Sequence, residues 1–333
     1  MLQKRALVLS LFFLFIFYFP VSAQQSKDDS LRLMRDRMAQ WAALRYPTQR
    51  LAIVEVESAG NVDYTSKLYG KDFLKGRIRG KSAVRAVFNV PVYTSGTQEL
   101  SVLGVYNSQE MVLRNTVNQI SQPRVNDGTY TLQTLSPGIN YKRTDTLFHK
   151  PVLWGGTLMT HFSLQSSYVR ATGLIYGVIS LKTTRTTRIY AGLAISIDPS
   201  NIIPVIPTFS YWHKFGGSPW EVNIDLPTRA LLRRPVFSKG LLSLGTELIQ
   251  RTLIRKIDES PFQGGVAFRD LSLRNGLTLE YPVLRKVLIG CSAGLLYTPQ
   301  YRIQDPGKRN SDYIVGVKRD PGPYMNISIS LLR

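Results

Sequence analysis

Arg77-Ile78-Arg79-Gly80-Lys81-Ser82-Ala83-Val84-Arg85-Ala86-Val87-Phe88-Asn89-Val90-Pro91-Val92-Tyr93 is the stretch on which the fold turns. Ile78, Val84, Ala86, Phe88, Val90 and Val92 share one parity, with Gly80 and Ser82 as small gaps; Arg77, Arg79, Lys81, Arg85 and Asn89 share the other. Successive side chains of a strand point to opposite faces, so this segment is a strand with one apolar and one basic face. Its length of roughly 15 residues exceeds the usual globular strand of about 5–6. A tilted membrane crossing that continues past the bilayer has that length. Pro91 lacks an N–H, so pairing is expected to thin toward that end.

The two-residue rhythm recurs to the end of the chain. Trp154, Leu158, Phe162, Leu164 and Tyr168 alternate with Thr157, His161, Ser163, Gln165 and Ser167. Ile189 to Ile197, Trp220 to Leu226, Val287 to Tyr297 and Met325 to Leu331 repeat the pattern, and weaker segments fall near 51–58, 98–106, 129–135, 173–183, 203–215, 240–252 and 264–281. Turn signals separate them: Thr94-Ser95-Gly96, Asn126-Asp127-Gly128, Ser136-Pro137-Gly138, Asp198-Pro199-Ser200, Gly216-Gly217-Ser218-Pro219 and Asp305-Pro306-Gly307. Residues 59–76, 107–124 and 300–322 have the polar composition of longer loops. The expectation is an all-β, antiparallel transmembrane β-barrel of about 12 strands over residues 51–333. A soluble β-sandwich is the competing architecture. Aromatic residues at strand ends (Trp154, Tyr168, Tyr93, Tyr297) favour the barrel, whose aromatics gather at the two membrane interfaces.

The N-terminal region reads differently. Residues 1–23 carry a basic start at Lys4-Arg5, an apolar run from Ala6 to Phe19 and Val21-Ser22-Ala23 at a small-x-small cleavage point, the form of a signal peptide. The only cysteine, Cys291, is far from that point, which excludes a lipoprotein anchor and an internal disulfide framework. No later window has the 18 or more apolar residues of a membrane helix, so a membrane crossing requires a closed barrel. Residues 24–50 form an N-terminal amphipathic segment. Within it Leu31, Met34, Met38 and Trp41 recur at helical spacing over 27–46, and Pro47 stops the helix. Packing on the fold, closing one barrel end, or lying on anionic lipid are all open to it.

The formal charge is +20 from 42 basic and 22 acidic residues, and +18 without Lys4 and Arg5. Such an excess favours anionic partners. Export removes nucleic acid from consideration and leaves lipid phosphates, lipopolysaccharide and small anionic solutes. Arg77, Arg79, Lys81 and Arg85 are the candidate anion-binding face, joined by Arg188 beside Lys182 and Arg185; Arg229, Arg233 and Arg234 surround another turn. With three histidines (His149, His161, His213) and no close pairing of His or Cys, no metal or cofactor is expected. Glu55 with Glu57, and Glu221 with Asp225, read as wall carboxylates rather than a hydrolytic pair.

The segment Ile203-Pro204-Val205-Ile206-Pro207 leads into Phe209-Ser210-Tyr211-Trp212, a Gly-Gly turn and Trp220-Glu221-Val222-Asn223-Ile224-Asp225-Leu226-Pro227. Together with the late strands Leu271 to Tyr281 and Val287 to Tyr297, and the closing Pro323 to Ser330, it resembles outer-membrane β-barrel proteins of unknown function found in Bacteroidota. The resemblance covers most of the chain after the leader and is strongest over 186–333. It implies a Gram-negative outer-membrane address, contact with lipid and lipopolysaccharide, and handling by the barrel assembly machinery. Barrels of this kind commonly end on an aromatic residue, whereas this chain ends Leu331-Leu332-Arg333, so recognition would use Tyr324 and the apolar positions around it.

The function expected is a non-enzymatic, porin-like structural, channel or binding role. One alternative is an outer-membrane lipid hydrolase or acyltransferase using His161 with Ser163, or Ser292 in Gly290-Cys291-Ser292-Ala293-Gly294. That last pattern matches a nucleophile elbow in letters, but the alternation runs straight through it with no helix following. The other alternative is a soluble periplasmic binding module.

Overall fold

The computed structural model describes residues 42–47, 50–120, 127–198, 204–257, 262, 264–305, 308 and 312–333, all within one compact unit. Sixteen strand segments follow residues 42–45, which are helical. They are β1 (Arg50–Ala59), β2 (Val62–Leu68), β3 (Lys71–Ser95), β4 (Gln98–Asn118), β5 (Gly128–Leu147), β6 (Lys150–Ser163), β7 (Val169–Thr183) and β8 (Thr187–Ser196). The second half comprises β9 (Val205–Lys214), β10 (Glu221–Leu226), β11 (Arg229–Val236), β12 (Gly240–Ile257), β13 (Gly264–Pro282), β14 (Val287–Gln304), β15 (Tyr313–Arg319) and β16 (Gly322–Leu332).

Every ladder is antiparallel and the ring is closed. β1 pairs with β16 on one side and β3 on the other, while its continuation β2 pairs with β15 and β3. β15 and β16 both pair with β14. β1 with β2, and β15 with β16, therefore each act as one strand, and fourteen strands circle the ring. The count of about twelve is corrected upward. The missing wall strand is β11, whose Arg229, Arg233 and Arg234 read as turn residues beside Pro235. The expected loops 59–76, 107–124 and 300–322 are largely strand: β2, the ends of β3, β4 and β14, and β15 lie in them. Those ends extend beyond the apolar band, so their sequences lack its alternation. Ser136-Pro137-Gly138 lies inside β5 with Pro137 opposite Gly104, and the ladder to β6 lapses at Ser136 and Pro137, where Pro has no N–H to give. The expected leader, 1–23, and residues 27–41 of the expected N-terminal helix lie outside the described residues; residues 42–45 are helical.

The polarity of the wall is inverted. Val56, Ile139, Leu158, Ile175, Leu193, Ile195, Leu244, Leu277, Leu295, Met325, Ile327 and Ile329 are exposed on the outside, while Glu57, Lys81, Gln109, Asn223, Arg251, Asp270 and Arg274 are buried inside. Exposed aromatics flank the apolar band: Tyr93 and Trp154 toward the end that carries the last strand's terminus, Tyr130 and Phe162 toward the other. A soluble sandwich reverses this distribution, with its apolar face in a dry core. The fold is an outer-membrane-type β-barrel.

The interior is pinched at one end. β10 and β11 are short, so beyond Leu248, whose N–H reaches the Thr228 carbonyl, β12 has no ladder partner on that side. An unpaired edge costs about 1–3 kcal/mol for each buried N–H left without an acceptor. The free edge of β12 runs instead across the interior to β5 and β6, where the Thr134 hydroxyl accepts from Ile254 N–H (3.0 Å) and Ser166 Oγ from Lys256 N–H (2.8 Å). Leu253, Ile254, Val266 and Ala267 are consequently fully buried, on both faces of the hairpin. On one face Leu253, Val266 and Phe268 form a dry cluster with Met111, Leu132 and Tyr301. On the other, Asp198 bridges Arg170 and Arg269, and Gly265 lies so close under the Tyr168 ring that a Cβ there would overlap it.

Two outcomes test this arrangement. Ile327→Arg, on the lipid face of β16, should destabilise the folded barrel by about 2–4 kcal/mol, read as the urea midpoint in lipid vesicles. Thr134→Val should leave Ile254 N–H without an acceptor and speed its hydrogen exchange by about tenfold, the equivalent of roughly 1.4 kcal/mol.

Candidate functional site in the barrel interior

At the end bearing Arg50 and Leu332, the short helix sits in the mouth. Ala43 and Leu44 pack on Leu241, Leu288 and Leu332, all inward positions at strand ends. The polar side of the seat is built by charge. Arg45 Nη2 donates to Glu221 (3.0 Å), and the carbonyl of Arg45, at the helix end, accepts from Arg229 Nη2 (2.9 Å) and Arg233 Nη1 (3.2 Å). Arg50 donates to the Ala43 carbonyl (2.9 Å), to Ser330 Oγ (3.2 Å) and to Glu280 (2.7 Å). Unsatisfied carbonyls at a helix end attract such cations.

Below the helix is a cavity of about 70 Å³, bounded by Arg50, Arg229, Arg233 and Arg274 and by Glu55, Glu247 and Glu280. Beyond it lies a belt of ion pairs. Glu57 meets Arg274 (2.6 Å) and Arg251 (3.0 Å), Glu55 lies 3.7 Å from Arg274 and 3.9 Å from Arg85, and Lys81 meets Asp270 (2.7 Å). Arg319 is 3.9 Å from Asp270, with its guanidinium 4.0 Å above the Tyr301 ring. Cross-strand register makes the belt: Glu55 is opposite Arg85, and Arg251 opposite Asp270. Desolvated charges persist only when paired, and here each carboxylate serves two cations.

The candidate anion-binding residues are divided by the structure. Lys81 and Arg85 point inward, each toward a carboxylate. Arg77 and Arg79 do not share that face, because a register shift between Ile78 and Gly80 reverses the phase of β3. Ile78 is buried, while Arg77 lies exposed and bonded to Asp63 (2.6 Å). Arg188 stands five strands away on β8, with its guanidinium 5.5 Å from the Trp212 ring. The residues that gather around the cavity, Arg50, Arg229, Arg233 and Arg274, escaped the sequence reading as a group. They come from three strands, β1, β11 and β13, and only Arg229 and Arg233 share one; the inward parity of each strand was the one available signal.

His161 has both ring nitrogens on hydroxyls, Ser136 Oγ (2.7 Å) and Thr172 Oγ1 (2.8 Å), and no carboxylate orients it. Ser163 Oγ bonds Ser166 rather than His161. Ser292 lies on the straight course of β14 and accepts from Asn326 Nδ2 (3.4 Å), with Cys291 beside it on the outer face. Among the described residues no group of three or more His, Cys, Asp or Glu could hold a metal ion.

The class defined by this ring and interior is an integral outer-membrane-type β-barrel with a charge-lined interior. No family model and no curated protein matches the chain. Among solved structures it is similar to the transport unit of the autotransporter AIDA-I from Escherichia coli, at 10% identity and a TM-score of 0.37, covering 89% of this chain and 97% of that one. The toluene transporter TodX from P. putida matches at 9% identity and a TM-score of 0.32 over 85% and 90% of the two chains. The translocator domain of the autotransporter NalP from Neisseria meningitidis matches at 8% and 0.31 over 91% and 95%.

Asp270→Asn should cost about 3–5 kcal/mol of stability, because Lys81 and Arg319 would then lack a carboxylate within ion-pair distance. Adding Lys81→Met should restore part of the loss. Equilibrium urea unfolding of the two variants reads both changes.

Proposed function

We propose that this protein is a non-enzymatic barrel of the Gram-negative outer membrane, closed at rest, that binds or passes small anionic solutes through its interior. The observation that carries the reading is the lining of the cavity, where four arginines face three carboxylates in the barrel interior. Fixed positive charge in a narrow polar interior favours anions over cations. The apolar band and flanking aromatics support a lipid-embedded position, and the leader-like residues 1–23 support export to it. The turns at the helix-bearing end span two to six residues, while connections at the other reach nine. Short turns face the periplasm in such barrels, which sets the pinch toward the cell exterior, where exposed bases of the β2–β3 hairpin would meet lipopolysaccharide phosphates.

In planar bilayers, the wild-type chain should conduct weakly. Releasing the helix by the double change Leu44→Ser with Arg45→Ala, which leaves all four lining arginines in place, should raise conductance, with a reversal potential showing chloride preferred over potassium. Cation preference in the released variant would overturn the proposal.

A further inference from the structure

One arginine around the cavity differs from the rest. Arg50 is paired with Glu280, Arg229 with Asp225 at 2.8 Å and Arg274 with Glu57, but Arg233 has no carboxylate within ion-pair distance among the described residues. It is 2% exposed, its Nη1 donates to a backbone carbonyl, and its Nε has no hydrogen-bond partner. A buried guanidinium in that state costs free energy unless something polar completes it. The open side of Arg233 is the cavity.

We propose that Arg233 anchors a binding site for a small monocarboxylate. This inference rests on the reading of the interior as a place for anions and names the anion's class. A guanidinium offers two parallel N–H donors that fit the two oxygens of a carboxylate. The volume of about 70 Å³ holds on the order of five water molecules, room enough for the four heavy atoms of acetate. Charge selects among anions of that size. Arg50, Arg229 and Arg274 already have carboxylate partners, so Arg233 leaves one positive charge to be met, and a second negative charge on the ligand would face Glu247, which has no ion-pair partner among the described residues. Asn326, whose Oδ1 is buried without a partner, also lines the cavity beside Ser292 and offers that oxygen to a water accompanying the ligand.

The experiment is calorimetric titration of the full chain, folded in detergent, with acetate and separately with sulfate. Acetate should bind, sulfate should bind more weakly, Arg233→Met should weaken acetate by about 30-fold or more, and Glu247→Gln should narrow the gap between the two anions. Heat-modifiable gel mobility checks that each variant is folded. Absence of acetate binding to the wild type, equal binding by folded Arg233→Met, or tighter binding of sulfate overturns the site. Should Arg233→Met not fold, an unchanged acetate-to-sulfate ratio in Glu247→Gln overturns it alone. Chloride preference of the helix-released barrel in bilayers, measured independently, separates failure of this site from failure of the anionic interior as a whole.

Discussion

Hydrocarbon offers no hydrogen bonds, so every backbone N–H and C=O in the wall must find its partner within the sheet. In this chain the condition is met by the first and last strands. β1 and β2 join β3 on one side and β16 and β15 on the other, which leaves the ring without an edge there. Closure then dictates where polarity goes. The outer face meets lipid and carries Val56, Leu158, Leu193 and Ile329, while charges are forced inward. Inward charges must pair, and the Glu55–Glu57–Arg274 and Lys81–Asp270–Arg319 groups are the result.

The short β10–β11 hairpin shapes the interior. Because the β10–β11 hairpin stops at Leu226 and Arg229, the upper part of β12 has an edge to satisfy, and its N–H groups donate to the hydroxyls of Thr134 on β5 and Ser166 in the β6–β7 turn. Reaching them carries the β12–β13 hairpin across the lumen, where Leu253, Val266 and Phe268 pack on one face and Arg269 meets Asp198 on the other. A defect in backbone pairing thus becomes a narrowing of the passage. The opposite mouth is narrowed by different means, with apolar contacts from Ala43 and Leu44 and arginines aimed at the carbonyls of the helix. Between these two constrictions the polar cavity persists because its walls belong to strands whose inward side chains already pair laterally.

Legibility varied with how local the cause was. The alternation of Val84, Ala86, Phe88 and Val90 is a one-strand property, and it marked the membrane face correctly. The bulge near Gly80 is set by how β3 meets β4 and β2, so the sequence placed Arg77 and Arg79 with Lys81 when they face elsewhere. β11 was hidden because Arg229 and Arg233 are inward wall residues in a segment whose composition resembles a basic turn. Tyr168 read as an interface aromatic, yet its ring covers Gly265, a contact between distant strands.

By itself the sequence determined the strand rhythm, the apolar band with its aromatic borders, the antiparallel class and the basic excess, because each follows from neighbours a few residues apart. The tertiary structure alone decided the number of strands around the ring, the pinch at β12 and β13, and which arginines share a cavity. These depend on register and closure, where residues remote in the chain are brought together by hydrogen bonds that no single strand can specify.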